Sequence, residues 1–133
     1  MYDFLSTENS YEDCVILLKP IDSPLELLKI SRAYNWDGGM NIPQAIIDHP
    51  TCDLGLALHL FELAEGVVWL EKKNSTITNE WARFCSDLSD RILNSRYSPN
   101  LVSFESEHGK VQIYKMKKAG IPPIFLTPIN CFS

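Results

Sequence analysis

The sequence predicts a mainly α fold: a single helical domain over residues 1–133, built around a central buried helix at about 53–65. Three observations lead there. The stretch from Asp53 to Gly66, DLGLALHLFELAEG, is apolar almost all the way round a helical wheel. Such a helix is stable only when protein covers most of its circumference. Apolar residues elsewhere in the chain recur at helical spacing. Hydrophobic residues make up 45% of the 133, which suffices for one core without disulfide or metal staples. The central stretch is shorter than the roughly 20 apolar residues a bilayer span requires.

On that stretch Leu54, Ala57, Leu58, Phe61 and Ala64 share one side, and Leu56, Leu60 and Leu63 cover most of the rest. Gly55, His59, Glu62 and Gly66 form a narrow small-or-polar strip, at spacings of four, three and four.

The elements before it follow in order. Cys14 to Leu18 is an apolar run that reads as a buried strand or as a short helix from Tyr11, and the helix is favoured. Ser23-Pro24-Leu25-Glu26 is a helix start. Serine accepts from an orphan amide, proline suits the first turn, and glutamate can bond back. That helix runs to about Tyr34, with Leu27, Ile30 and Tyr34 on one face. Asn35 to Gly39 then turns the chain, with Asp37 bonding to nearby amides and Trp36 anchoring the turn. Asn41 opens another short helix, stopped by His49-Pro50. Thr51 or Asp53 caps the central helix.

After it, Val67 to Leu70 makes a helical turn leading into a loop. Thr78 caps a helix whose buried face is Trp81, Phe84, Cys85, Leu88 and Ile92, ending near Arg96. Residues 101–119 admit two readings. Val111, Ile113 and Lys115 alternate, which suits a small β-hairpin near 101–116. Lys115, Lys117 and Lys118 followed by Gly120 suit a helix end. A helix from about Ser106 to Ala119 is favoured. Pro122-Pro123 forces an extended tail that packs down through Ile124, Phe125, Leu126 and Ile129.

Charge is unevenly distributed. Residues 1–66 carry eleven acids and three bases, and residues 67–133 carry six acids and nine bases. The acidic half argues against general nucleic-acid binding, which needs a basic footprint. It suits a basic protein partner. There is no secretory signal pattern and no membrane span, and the four cysteines are never paired as CxxC. A cytoplasmic protein with reduced thiols is therefore expected.

Candidate chemistry is sparse. His49, Cys52 and His59 lie within eleven residues, with Glu62 one turn beyond. Their spacing matches no zinc pattern, so no metal or other cofactor is expected. Cys52 with either histidine is the one available thiolate pair, but free cysteine is more often buried. Asp37, Asp48 and Asp53 each have simpler roles in turns or caps. No catalytic residue is assigned. The competing reading is a small metal- or cysteine-dependent hydrolase using His49, Cys52 and His59.

The segment NWDGGMNIPQAIIDHPTCDLGLALHLFELAEG resembles a bacterial small-domain family of unknown function. Its signature is an Asn-Trp-Asp-x-Gly turn, a proline, then His-Pro-x-Cys-Asp-x-Gly and an Ala-Leu-x-x-Phe helix. The matching residues are Asn35, Trp36, Asp37, Gly39, Pro43, His49, Pro50, Cys52, Asp53, Gly55, Ala57, Leu58 and Phe61. Gly38 stands where a second acid is expected, and Leu56 where a threonine is. Some members resemble immunity proteins of contact-dependent toxin systems. The resemblance implies a non-enzymatic inhibitor that binds a cognate toxin domain with a basic surface, such as a nuclease. The expected toxin-binding residues are Glu62, Glu65, Trp69 and Glu71.

Overall fold

The computed structural model describes residues 10–72 and 79–131. Seven α-helices lie among them: α1 (Tyr11–Leu18), α2 (Pro24–Ala33), α3 (Asn41–Asp48), α4 (Leu54–Leu63), α5 (Gly66–Glu71), α6 (Glu80–Leu93) and α7 (Lys110–Lys118). Every helix contributes to one core cluster, which runs from Cys14 to Leu126. Helix α4 packs against α2, α5 and α6, while α1 packs on α3.

Local cap chemistry explains the boundaries. Ser10, Ser23, Asp53 and Asn79 each accept from an amide in the first turn of α1, α2, α4 and α6. Asn79 therefore holds the α6 cap; Thr78, expected there, lies outside the described residues. Helix α3 begins without a side-chain cap of its own. Instead Glu80 at the start of α6 accepts from the Met40 amide at 2.7 Å. In the turn between α2 and α3 it is Asn35, rather than Asp37, that accepts, from the Asp37 amide at 3.1 Å. The Trp36 indole donates to Ser31 O at 3.0 Å, as an anchor should. Of the two glycines there, Gly39 alone takes a positive φ.

The central helix breaks sharply into α4 and α5. The left-handed residue at the break is Glu65, with φ 57 and ψ 43, and not the neighbouring glycine. Gly66 serves packing: a Cβ there would sit 2.4 Å from the Phe61 ring. That ring is stacked on Phe125 with centroids 4.5 Å apart. Trp81 on α6 closes the corner by donating its indole N–H to Ala64 O at 2.7 Å.

In the C-terminal third the favoured helix forms and the alternative hairpin does not. Residues 101–107 are extended, and α7 begins only at Lys110, later than the expected Ser106. Phe104 pairs in a single antiparallel bridge with Ile129 of the tail, not with residues 111–116. Ile121, Phe125 and Leu126 are buried, so the tail does pack down on the core, but Pro123–Phe125 forms a 3-10 turn in place of the expected extended run. No helix among the described residues is long and apolar enough to cross a membrane.

One polar knot ties α1, α3 and α6 together. Arg91 lies 2.7 Å from Asp48 and 3.1 Å from Asp87, and it donates to Ile47 O at 3.2 Å. The Tyr11 hydroxyl donates to Asp48 at 2.6 Å and Tyr97 to Ile47 O at 2.9 Å. The Tyr11 phenol is pushed up to about 12, chiefly because it donates to the Asp48 carboxylate.

Candidate functional site

Asp53 and the strip of α4 are engaged in holding the scaffold. The small-or-polar strip of α4 is covered by residues 101–107, which run along it in register. Asp53, 3% exposed, accepts from the amides of Leu56 at 2.9 Å, Leu101 at 2.8 Å and Val102 at 3.0 Å. Gly55 lets the backbone approach: a Cβ there would lie 1.8 Å from Val102 O. One turn on, His59 donates from Nε2 to Ser103 O at 2.8 Å and meets the Phe104 ring edge-on. Another turn on, Glu62 accepts from the Ser106 hydroxyl at 2.8 Å and the Glu107 amide at 2.9 Å.

The residues of the hydrolase reading are placed in separate roles. His49 donates from Nε2 to Leu18 O at 3.0 Å, because a carbonyl can only accept. Its Nδ1 then accepts from Thr51, N–H at 3.2 Å and hydroxyl at 3.0 Å. His49 borders a cleft between α1 and α3 together with Tyr11, Asp48 and Thr51, but Cys52 and His59 do not line that cleft. Burial, and secondarily the Asp53 carboxylate, pushes the Cys52 thiol well above its ordinary range. A thiol held protonated is a poor nucleophile. Among the described residues, no group of three or more His, Cys, Asp or Glu side chains is arranged to hold a metal ion.

His59 carries a pH dependence. Burial pulls its pKa below 6.5, against the opposing effect of the Ser103 hydrogen bond; Arg32 also lowers it, while Glu62 and Glu107 raise it. A lowered folded value means the unfolded chain binds more protons in the window between the two. His59 therefore costs nothing above about pH 6.5, and stability falls as pH drops through that window. The expected result is that the wild-type urea midpoint falls between pH 7.5 and 5 by more than that of His59→Gln, which keeps a donor toward Ser103. Equal falls in the two proteins would show that His59 is not the titrating group.

A cleft of about 330 Å³ opens where α5, the α4–α5 corner and α7 meet. Its walls bear Glu62, Glu65, Glu71 and Glu107, and its lining includes Val67, Val68 and Met116. Three of the four expected toxin-binding residues are thus brought to one place. The fourth, Trp69, is half-buried, packs against the core and does not line the cleft. Glu107 was not foreseen, since it arrives from a segment 45 residues beyond Glu62. Glu62 is held by its two hydrogen bonds, while Glu65 and Glu71 are exposed.

Fold and site together define a small helical domain with a braced central helix and an acidic, apolar-floored cleft on one flank. The chain belongs to the family described as Domain of unknown function (DUF4274), which matches residues 22–93, more than half its length. The matched span runs from just before α2 to the end of α6. It leaves out both residues 101–107, which cover the strip, and the α7 wall of the cleft. No curated protein and no solved structure matches the chain.

Proposed function

We propose that this protein is an immunity protein: a non-enzymatic inhibitor that acts in the cytosol of a bacterium by seating a basic surface of a cognate toxin domain in the acidic cleft. The observation that carries the reading is Glu65. A non-glycine residue in the left-handed region costs of order 1 kcal/mol, and glycine or asparagine would avoid most of it. Here a glutamate occupies that conformation, and its exposed carboxylate stands at the wall of the cleft. Strain of this kind is tolerated where the side chain has a task. Opposite charge would steer the encounter, and burial of apolar surface on Val68 would prolong the complex.

The reading predicts opposite effects on stability and binding. Glu65→Gly is expected to raise stability by about 1 kcal/mol, by releasing the strained backbone. The same change should weaken toxin binding, and Glu65→Gln with Glu71→Gln should weaken it further and flatten its salt dependence. The direct experiment is calorimetry of the purified protein against the toxin domain encoded beside it, with a growth-protection assay. Absence of both heat and protection would end the immunity reading.

A further inference from the structure

The flank that bears the acidic cleft also bears an exposed helix face on which none of the described residues packs. Helix α7 buries only Met116 of its nine residues. At 100° per residue, Val111, Tyr114 and Lys118 share its outward side, roughly opposite Met116. Val111 is 68% exposed and Tyr114 63%, with the Lys118 ammonium 5.7 Å over the Tyr114 ring. Lys115 flanks them and is exposed. The inner side of the same helix, through Gln112 and Met116, forms one wall of the cleft. A basic, aromatic ridge therefore stands directly beside an acidic groove. Within one chain the two do not neutralise each other: Arg91 pairs with Asp48 and Asp87, and among the described residues no ion pair joins Lys115 or Lys118 to the glutamates of the cleft.

We propose that a second copy of this chain docks on this flank, the α7 ridge of each copy lying in the acidic cleft of the other across a twofold axis. Adjacent patches of opposite charge on one surface are self-complementary only under that symmetry. A twofold rotation places ridge on groove twice, whereas a head-to-tail contact satisfies one pair and leaves the other open. The contact would cover Val111 and Tyr114, apolar surface that is otherwise left in water, with Lys115 and Lys118 reaching Glu65 and Glu71. The inference does not rest on the immunity reading, because it concerns the chain by itself. A basic partner that used the cleft would have to displace α7 of the second copy.

The test is sedimentation velocity of the full chain at low and at high salt, with two charge-reversed variants. One carries Lys115→Glu and Lys118→Glu on the ridge; the other carries Glu65→Lys and Glu71→Lys in the groove. All four positions are exposed, so far-UV circular dichroism and urea midpoints should show both variants folded. The expected result is a wild-type dimer that loosens with salt, and a dimer weakened by about tenfold or more in each variant alone. An equimolar mixture of the two variants should restore a dimer, since each reversed ridge then meets a reversed groove and each native ridge a native groove. A monomeric wild type, a dimer indifferent to both reversals, or a mixture that stays monomeric would each overturn the proposal. Toxin binding is read in a separate titration, so either idea can fail without the other.

Discussion

Replacement of Asp53 by alanine is expected to destabilise the protein by about 4 kcal/mol. The carboxylate serves three backbone amides at once. One belongs to Leu56 in the first turn of α4, and loss of such a cap costs about 1 kcal/mol. The other two, on Leu101 and Val102, are held by the second oxygen at 2.8 and 3.0 Å. Val102 is buried, so its amide would be left without a partner, and each such loss costs about 1–3 kcal/mol. Against a typical total of about 5–15 kcal/mol, the loss is severe. Asparagine should fall between the two, since its one oxygen can satisfy the cap or the covering segment but not both. Urea denaturation of the three proteins measures this. A loss under about 1 kcal/mol in Asp53→Ala would mean that residues 101–102 find water or another partner when released.

Gly55→Ala is expected to cost about 3 kcal/mol, although alanine is the better helix former by about 1 kcal/mol. The added methyl would fall 1.8 Å from Val102 O and 2.7 Å from Val102 C. Both atoms are backbone, so no side-chain rotation relieves the overlap. Residues 101–103 must move off α4, which also stretches the hydrogen bonds that Asp53 makes to them. The two substitutions therefore damage the same junction. The double variant should lose clearly less stability than the sum of the singles, as neighbouring sites do. Full additivity in a double-mutant cycle would show that the glycine and the carboxylate act on separate contacts.

Helix α2 was legible because Ser23 and Pro24 form its start by chemistry contained within four residues. Helix α4 was legible because its composition leaves no other stable environment. The alternation of Val111, Ile113 and Lys115 kept a hairpin open beside the favoured helix, and the helix forms, though it starts four residues later than expected. Helix α7 is so little buried that its pattern carries almost no information about which side faces the core. The strip of Gly55, His59 and Glu62 was visible as a strip, but nothing local said that an extended segment would lie along it.

The candidate site divides in the same way. Glu62 and Glu65 lie three residues apart, so their closeness was readable from spacing, whereas Glu71 falls half a turn from Glu62 on an unbroken helix and reaches the cleft only through the corner between α4 and α5. Trp69 was expected among them, yet it turns toward the core, because the left-handed corner at Glu65 sets the rotation of α5 relative to α4. Glu107 completes the acidic wall only because Glu62 holds its backbone amide.

By itself the amino-acid order determined where α2 and α4 begin, which helix is innermost, and that the first half of the chain is acidic. Those features follow from a 3.6-residue period, cap chemistry and charge counts, all of which act over a few residues. The folded structure alone decided which segment covers α4, why Gly55 must lack a side chain, and that an acidic groove and a basic ridge share one flank. Those features depend on which distant backbone each face meets, and short-range preferences carry no record of that choice.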